Sequence, residues 1–274
     1  MYGNGYSEEL LGRAFADRRD KVIIASKAWP THLSAEEIRL ACEQSLKRLA
    51  TDYIDVYYIH WPSRTVPFAE TMEALGRLRD EGKIRVIGCS NFGVHDLPDL
   101  LKHGRVEVNE LPYSLLWRAI EYEILPVCIE HKVSVTAYMP LLQGLLTGKW
   151  RTADEVPVMR ARTRHFSPKR PYIRHSEDGA EEETFAAINK IREICQQAGL
   201  PMVQVALAWV IQQQGITSTI VGARSPEQVQ ANAAAADLKL SNDMIAALDR
   251  ATEPLKQKLG TNADLWQSAD SRFR

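Results

Sequence analysis

Short apolar runs rich in β-branched residues alternate along this chain with longer segments whose apolar residues recur at helical spacing. KVIIASK (21–27), DVYYIHW (55–61), IRVIGCS (84–90), EVNELPY (107–113), VSVTAYMP (133–140) and STIVGA (218–223) read as strands of the kind buried on both faces of a parallel sheet. Between the first three lie SAEEIRLACEQSLKRLA, where Ser34 and Glu37 form a capping box, and PFAETMEALGRLRDEGK, ended by Gly82. Shorter helices are expected near 95–103 and 119–131. A long polar stretch, 152–179, precedes helices over 181–198 and in MVQVALAWVIQQQ, one from Ser225, and a last one capped by Ser241. Near the start, Ser7 reads as an N-cap ahead of an apolar stripe through Leu10, Leu11, Ala14 and Phe15.

Alternation at this spacing implies an α/β fold with a parallel sheet and right-handed crossovers. An open doubly wound sheet and a (β/α)8 barrel both satisfy it. Polar residues close several strands: Lys27, His60, Ser90 with Asn91, and Tyr138. Function gathered from the ends of many strands marks the C-terminal face of a barrel, and no G-x-G-x-x-G follows a first strand, so the barrel is favoured. About six strands are legible where a barrel needs eight. The expectation is therefore one barrel domain over 1–274, truncated at its N-terminus, with the first two strands belonging before Tyr2.

Thirty-five acidic residues balance 34 basic ones, for a net charge of −1, which argues against nucleic acid or a membrane surface as the main partner. No apolar run approaches the ~20 residues of a membrane helix, and no signal peptide is legible. Cys42, Cys89, Cys128 and Cys195 lie far apart with no metal-type spacing, which reads as reduced thiols in a cytoplasmic protein without a metal site.

Several segments, taken in order, resemble the aldo-keto reductase family: YGNGYSEELLG, IASK, DYIDVYYIHWP, IRVIGCSNF, LPYSLLWR, AYMPLLQGLLTGKW and IVGARSPEQVQAN. The match runs from Tyr2 to about Leu248. A subordinate likeness is to the potassium-channel β subunits. The resemblance implies reduction of an aldehyde or ketone with NADP(H), with Tyr2, Lys27 and His60 as catalytic residues. A phenol is a poor acid at neutral pH unless a nearby cation eases proton loss, which Lys27 would do while His60 orients the carbonyl oxygen. Taken singly, Tyr2 would be an ordinary terminal aromatic, Lys27 a solvated strand end and His60 a core histidine. The family also places an Asp shortly before the Tyr, bonded to the Lys, and this sequence has none there. A truncated or mis-started chain and a natural short form are the two explanations.

For the cofactor, the resemblance implies Ser90 and Asn91 on the nicotinamide carboxamide, and Glu110 where Gln is commonest. Tyr138 would stack on the ring, and Met139 stands where Ser is common. Leu141, Gln143, Thr147 and Lys149 would lie in the loop over the pyrophosphate, and Arg164 in a mobile polar loop near the cofactor. Gly222 permits close backbone approach, Ser225 opens a helix whose N–H groups favour an anion, and Arg224 suits the 2′-phosphate that distinguishes NADP from NAD. Gln228 and Asn232, one helical turn apart, would face adenine. Trp29 and Trp61 follow catalytic strands and are expected to wall the pocket for a small-molecule carbonyl substrate. The alternative function is an NADP(H)-binding regulatory or partner subunit with little turnover, and a fragment unable to close its barrel is the blandest reading. Oligomeric state has no signal in the sequence.

Overall fold

The computed structural model describes residues 3–268 and 271–274. They fall into two compact units. One extends to Glu110 and takes in Glu130–Val133 and Arg274; the other comprises Leu111–Ile129 and Ser134–Phe273. In the first, β1 (Ala25–Ala28), β2 (Ile54–Ile59), β3 (Ile84–Ser90) and β4 (Val108–Pro112) pair in parallel and in sequence order. β4 passes into the second unit after Glu110, where its end runs beside β5 (Ser134–Tyr138), which pairs in parallel with β6 (Ile216–Ile220). Parallel strands in sequence order are the strand plan of the (β/α)8 barrel, and six strands of that plan are described. The α/β expectation and the six-strand reading are borne out.

The helices form where the apolar spacing predicts, with one instructive exception. α1 (Tyr6–Ala14) is capped by Gly5 in the left-handed region, so Ser7 lies inside its first turn and is not the cap. The expected stripe is not its inner face either: Leu10 and Leu11 are exposed, and Gly12 is the buried residue. Gly12 allows α1 to lie against the C-terminal end of α2 (Ala35–Leu49), where a Cβ would collide with the Leu49 carbonyl. α2 has the predicted N-cap, Ser34 Oγ accepting from Glu37 N, but the Glu37 carboxylate accepts from the Ser34 hydroxyl and so makes a variant of the expected capping box. Its buried residues, Ile38, Cys42, Ser45 and Leu49, follow the helical period. α3 (Phe68–Asp80) buries Met72, Leu75 and Leu78, and the chain turns at Gly82 with φ 75°.

Several boundaries differ from expectation. β1 begins only at Ala25: the Ile24 carbonyl still accepts from Asp55 N and Val56 N of β2, while the Ile24 N–H donates to the Asp55 side-chain carboxylate. β6 ends at Ile220, which releases 221–223 from the sheet. The helix near 95–103 is the shorter α4 (Asp96–Leu101), and that near 119–131 divides into a 3-10 turn and α5 (Ile124–Glu130). In the second unit α6 (Glu181–Gln197) packs on α9 (Asn242–Leu259), while α7 (Met202–Ile211) packs on β6 and α8 (Pro226–Ala233) packs on α7. Burial pushes the Cys42 thiol up to about 12 and that of Cys195 to about 11, so both stay protonated at neutral pH. No single helix among the described residues is long and apolar enough to cross a membrane.

Candidate active site

In the first unit, four parallel strands deliver polar side chains at their C-terminal ends. Lys27 sits in β1 opposite Tyr58 of β2, and its ammonium lies 5.2 Å from the centre of the Tyr58 ring. The ring fits there because β3 has glycine beside it: a Cβ on Gly88 would stand 2.6 Å from Tyr58 Cδ1. Lys27 Nζ also lies 3.0 Å from Glu110 Oε2 of β4, both side chains nearly removed from solvent. Burial raises the Glu110 carboxyl pKa and Lys27 pulls it back only in part, so the net direction is up.

His60 follows β2. Its N–H donates to the Ala28 carbonyl, and its own carbonyl accepts from Asn91 Nδ2 at 3.1 Å. Its imidazole packs edge-on against Trp29, with ring centres 5.0 Å apart. Burial, and then the Lys27 charge, push its pKa down to about 4, so the ring is neutral at pH 7. Ser90 Oγ donates to the Glu110 carbonyl and accepts from Asn91 Nδ2. Asn91 has φ 66°, a conformation that Asn tolerates better than most residues. A small cavity of about 90 Å³ is lined by Lys27, Trp29 and His60 together with Glu8, Ser26 and Arg48. Glu8 accepts 2.6 Å bonds from Ser26 Oγ and Arg48 Nε, tying α1 to this end of the sheet. Trp61 is half-buried beside His60. Tyr2, the expected proton donor, lies outside the described residues.

The second unit contains a cleft of about 970 Å³. Tyr138, Met139, Leu141, Gln143, Thr147 and Lys149 line one side, and Gly222, Arg224, Gln228 and Asn232 the other. The loop after β5 is unusual: Met139, Leu142 and Gln143 all have positive φ, between 40° and 57°. Such conformations cost roughly 1–3 kcal/mol each and concentrate at ligand-binding loops. The amide oxygen of Gln143 is buried without a hydrogen-bond partner among the described residues. Opposite it, Ser225 caps α8 by accepting from Gln228 N, and Gln228 Oε1 accepts from Arg224 N at 2.9 Å, which fixes the turn. Gly222 has open space where a Cβ would stand, and Arg224 is exposed. Lys149 lies over the Trp150 ring, 4.2 Å from its centre. A long cleft with a capped helix start and an exposed arginine fits a dinucleotide phosphate chain.

Arg164 is a correction. It is 3% exposed, and its guanidinium is spent on Glu177 and on the carbonyls of Leu259, Asn262 and Asp264. It clamps the tail of the second unit and does not line the cleft. The polar stretch around it is likewise tied down: Arg170 bonds Asp154 and Glu181, and His165 is wholly buried between Thr163 and Leu116. Sequence reading misses the support of Lys27 by Tyr58, although an isolated glycine within IRVIGCS does signal close approach of a neighbour. It also misses Arg160 and Gln204 of the cleft, for which no local signal exists.

The model of the Aldo/keto reductase family matches residues 1–253. The chain is 34% identical over 241 residues to the Aldo-keto reductase YhdN of Bacillus subtilis, covering 84% of this chain and 70% of that protein. It is 32% identical to the NADH-specific methylglyoxal reductase of Escherichia coli, covering 91% and 82%. Among solved structures, an aldo/keto reductase from Klebsiella pneumoniae in complex with NADP and acetate is similar with a TM-score of 0.71 and 34% identity, covering 91% of this chain and 77% of that one.

Proposed function

This chain belongs to the aldo/keto reductase family, and on that premise we propose that it is an NADP(H)-dependent oxidoreductase that interconverts a small aldehyde or ketone and its alcohol. Reactive 2-oxoaldehydes of the methylglyoxal type are the first substrates to consider, given the activity named for a relative. The observation that carries the reading is the buried Lys27 beside a neutral His60 at neighbouring strand ends.

When bound, NADPH supplies the hydride. The rest falls to the chain's own groups. The alkoxide that develops at the carbonyl oxygen requires a proton, and Tyr2 is the proposed donor. Lys27 stabilises the phenolate left behind, which lowers the cost of releasing a proton from a group of ordinary pKa near 10. His60, being neutral, serves as a hydrogen-bond donor to the carbonyl oxygen without adding a second charge beside Lys27. The proposed cofactor contacts in the cleft are Tyr138 against the ring, the 141–149 loop along the pyrophosphate, and Arg224 with the start of α8 on the 2′-phosphate.

Loss of NADPH absorbance in the presence of methylglyoxal or a nitrobenzaldehyde tests this. Turnover at least about 100-fold above a Tyr2→Phe variant is expected, the usual worth of a positioned proton donor. NADPH binding with no turnover above that variant would favour the regulatory reading, and the enzyme reading would be abandoned.

A further inference from the structure

We propose that Glu110 is a positioning residue for Lys27, its carboxylate holding the ammonium in place instead of meeting the nicotinamide carboxamide. The proposal rests on the carbonyl-reductase reading and adds to it a residue whose type had suggested a cofactor contact.

Three observations carry it. The Nζ–Oε2 distance is 3.0 Å, and the pair spans β2 and β3 to join β1 to β4. Both side chains are about nine-tenths shielded, so the carboxylate faces Lys27 and not water. The backbone that carries Glu110 is itself fixed, because its carbonyl accepts from both Ser90 Oγ and Asn91 N at 3.0 Å. The face of the Tyr58 ring supports the same ammonium, and His60 is the further titratable neighbour, its pKa depressed by burial and then by the Lys27 charge. A glutamine in this position would keep the shape of Glu110 and lose the counter-charge. The ammonium would then remain buried beside an amide, with less to fix its rotamer. Proximity of opposite charge also explains why burial alone does not set the titration of Glu110: desolvation raises it and Lys27 lowers it.

Two measurements decide the matter. The first needs no turnover: the carboxyl carbon of Glu110, labelled with ¹³C and assigned by its disappearance in Glu110→Gln, is titrated by NMR in the wild type and in Lys27→Met. Its midpoint should rise in Lys27→Met, and equal midpoints would overturn the pair. The second is kinetic. In Glu110→Gln, kcat should fall about tenfold or more while the Kd for NADPH changes less than about threefold, and Glu110→Asp should regain part of the loss. Circular dichroism confirms that each variant is folded. An unchanged kcat, or a Kd for NADPH that rises as much as kcat falls, would return Glu110 to the cofactor side and overturn the positioning role. A wild-type chain without turnover removes that role along with the reading beneath it, and the titration still decides, independently, whether Lys27 and Glu110 are paired.

Discussion

Charged side chains of this protein do different work according to how much water they see. Lys27 is shielded, so its charge reaches the groups that share its surroundings: at His60 burial is the main cause of the depressed pKa, and the Lys27 charge adds to it. Arg224 stands in the opposite situation. It is exposed at the rim of the cleft, and its attraction to a phosphate is screened unless the guanidinium fork meets the oxygens directly. Its worth therefore lies in short charge-assisted hydrogen bonds, roughly 1.5–3 kcal/mol, or about 10- to 100-fold in affinity. The 2′-phosphate is present in NADPH and absent from NADH, so Arg224→Ala should weaken NADPH binding by about that factor and leave NADH within about threefold. Quenching of tryptophan fluorescence by each nucleotide provides the test. An equal loss for both would move the phosphate site away from Arg224, toward Lys149 or Arg160.

At the scale of elements, two glycines that look alike in the sequence behave differently in the fold. Gly12 in α1 and Gly76 in α3 both interrupt helical patterns, and replacing either with alanine raises helix propensity by roughly 1 kcal/mol. Around Gly76 there is nothing within 4 Å of a Cβ, so Gly76→Ala should stabilise by a good part of that amount. At Gly12 the Cβ meets the Leu49 carbonyl, and moving packed backbone costs roughly 1–3 kcal/mol, more than the propensity gain. Gly12→Ala should therefore lower Tm by a few degrees while Gly76→Ala raises it; two shifts of the same sign would refute the packing account. What is legible in the sequence divides along the same line. Strand order, the Ser34 cap of α2 and the polar strand ends are readable, because period, caps and turn residues are local signals. The Glu110 partner of Lys27 and the burial of Arg164 are not, since each depends on which distant residues the fold brings together. The inner face of α1 is misread for the same reason: propensity favours a leucine stripe, whereas close approach to α2 selects Gly12.

For the molecule as a whole, the buried imidazoles decide how stability responds to acid. His165 is fully buried, its Nε2–H donating to Leu116 O and its Nδ1 accepting from Thr163 Oγ1, and burial pushes its pKa down to about 4 from an ordinary 6.5. His60 is shifted in the same direction. In the unfolded chain these rings take up protons near pH 6.5, and in the fold they do so only near pH 4. Stability is thus fully present above about 6.5 and is lost as pH falls toward about 4. For His165 the difference of 2.5 units between 6.5 and about 4 amounts to about 3 kcal/mol, a large share of the ~5–15 kcal/mol typical of a folded protein. Carboxylates such as Asp264 add to the loss only at lower pH. Burial raises that group, but Arg272 and backbone N–H groups outweigh it and leave its pKa below the ordinary value. The urea midpoint should therefore drop between about pH 7 and about pH 4.5, before carboxylates with lowered pKa values titrate. Fluorescence of Trp117, whose ring centre lies 5.5 Å from that of His165, suits the measurement. His165→Gln should be less stable at neutral pH for lack of fully equivalent hydrogen bonds, yet show a clearly smaller drop across the same interval. A drop as steep as that of the wild type would place the acid sensitivity elsewhere, with His60 and its neighbour Lys27 the next groups to examine.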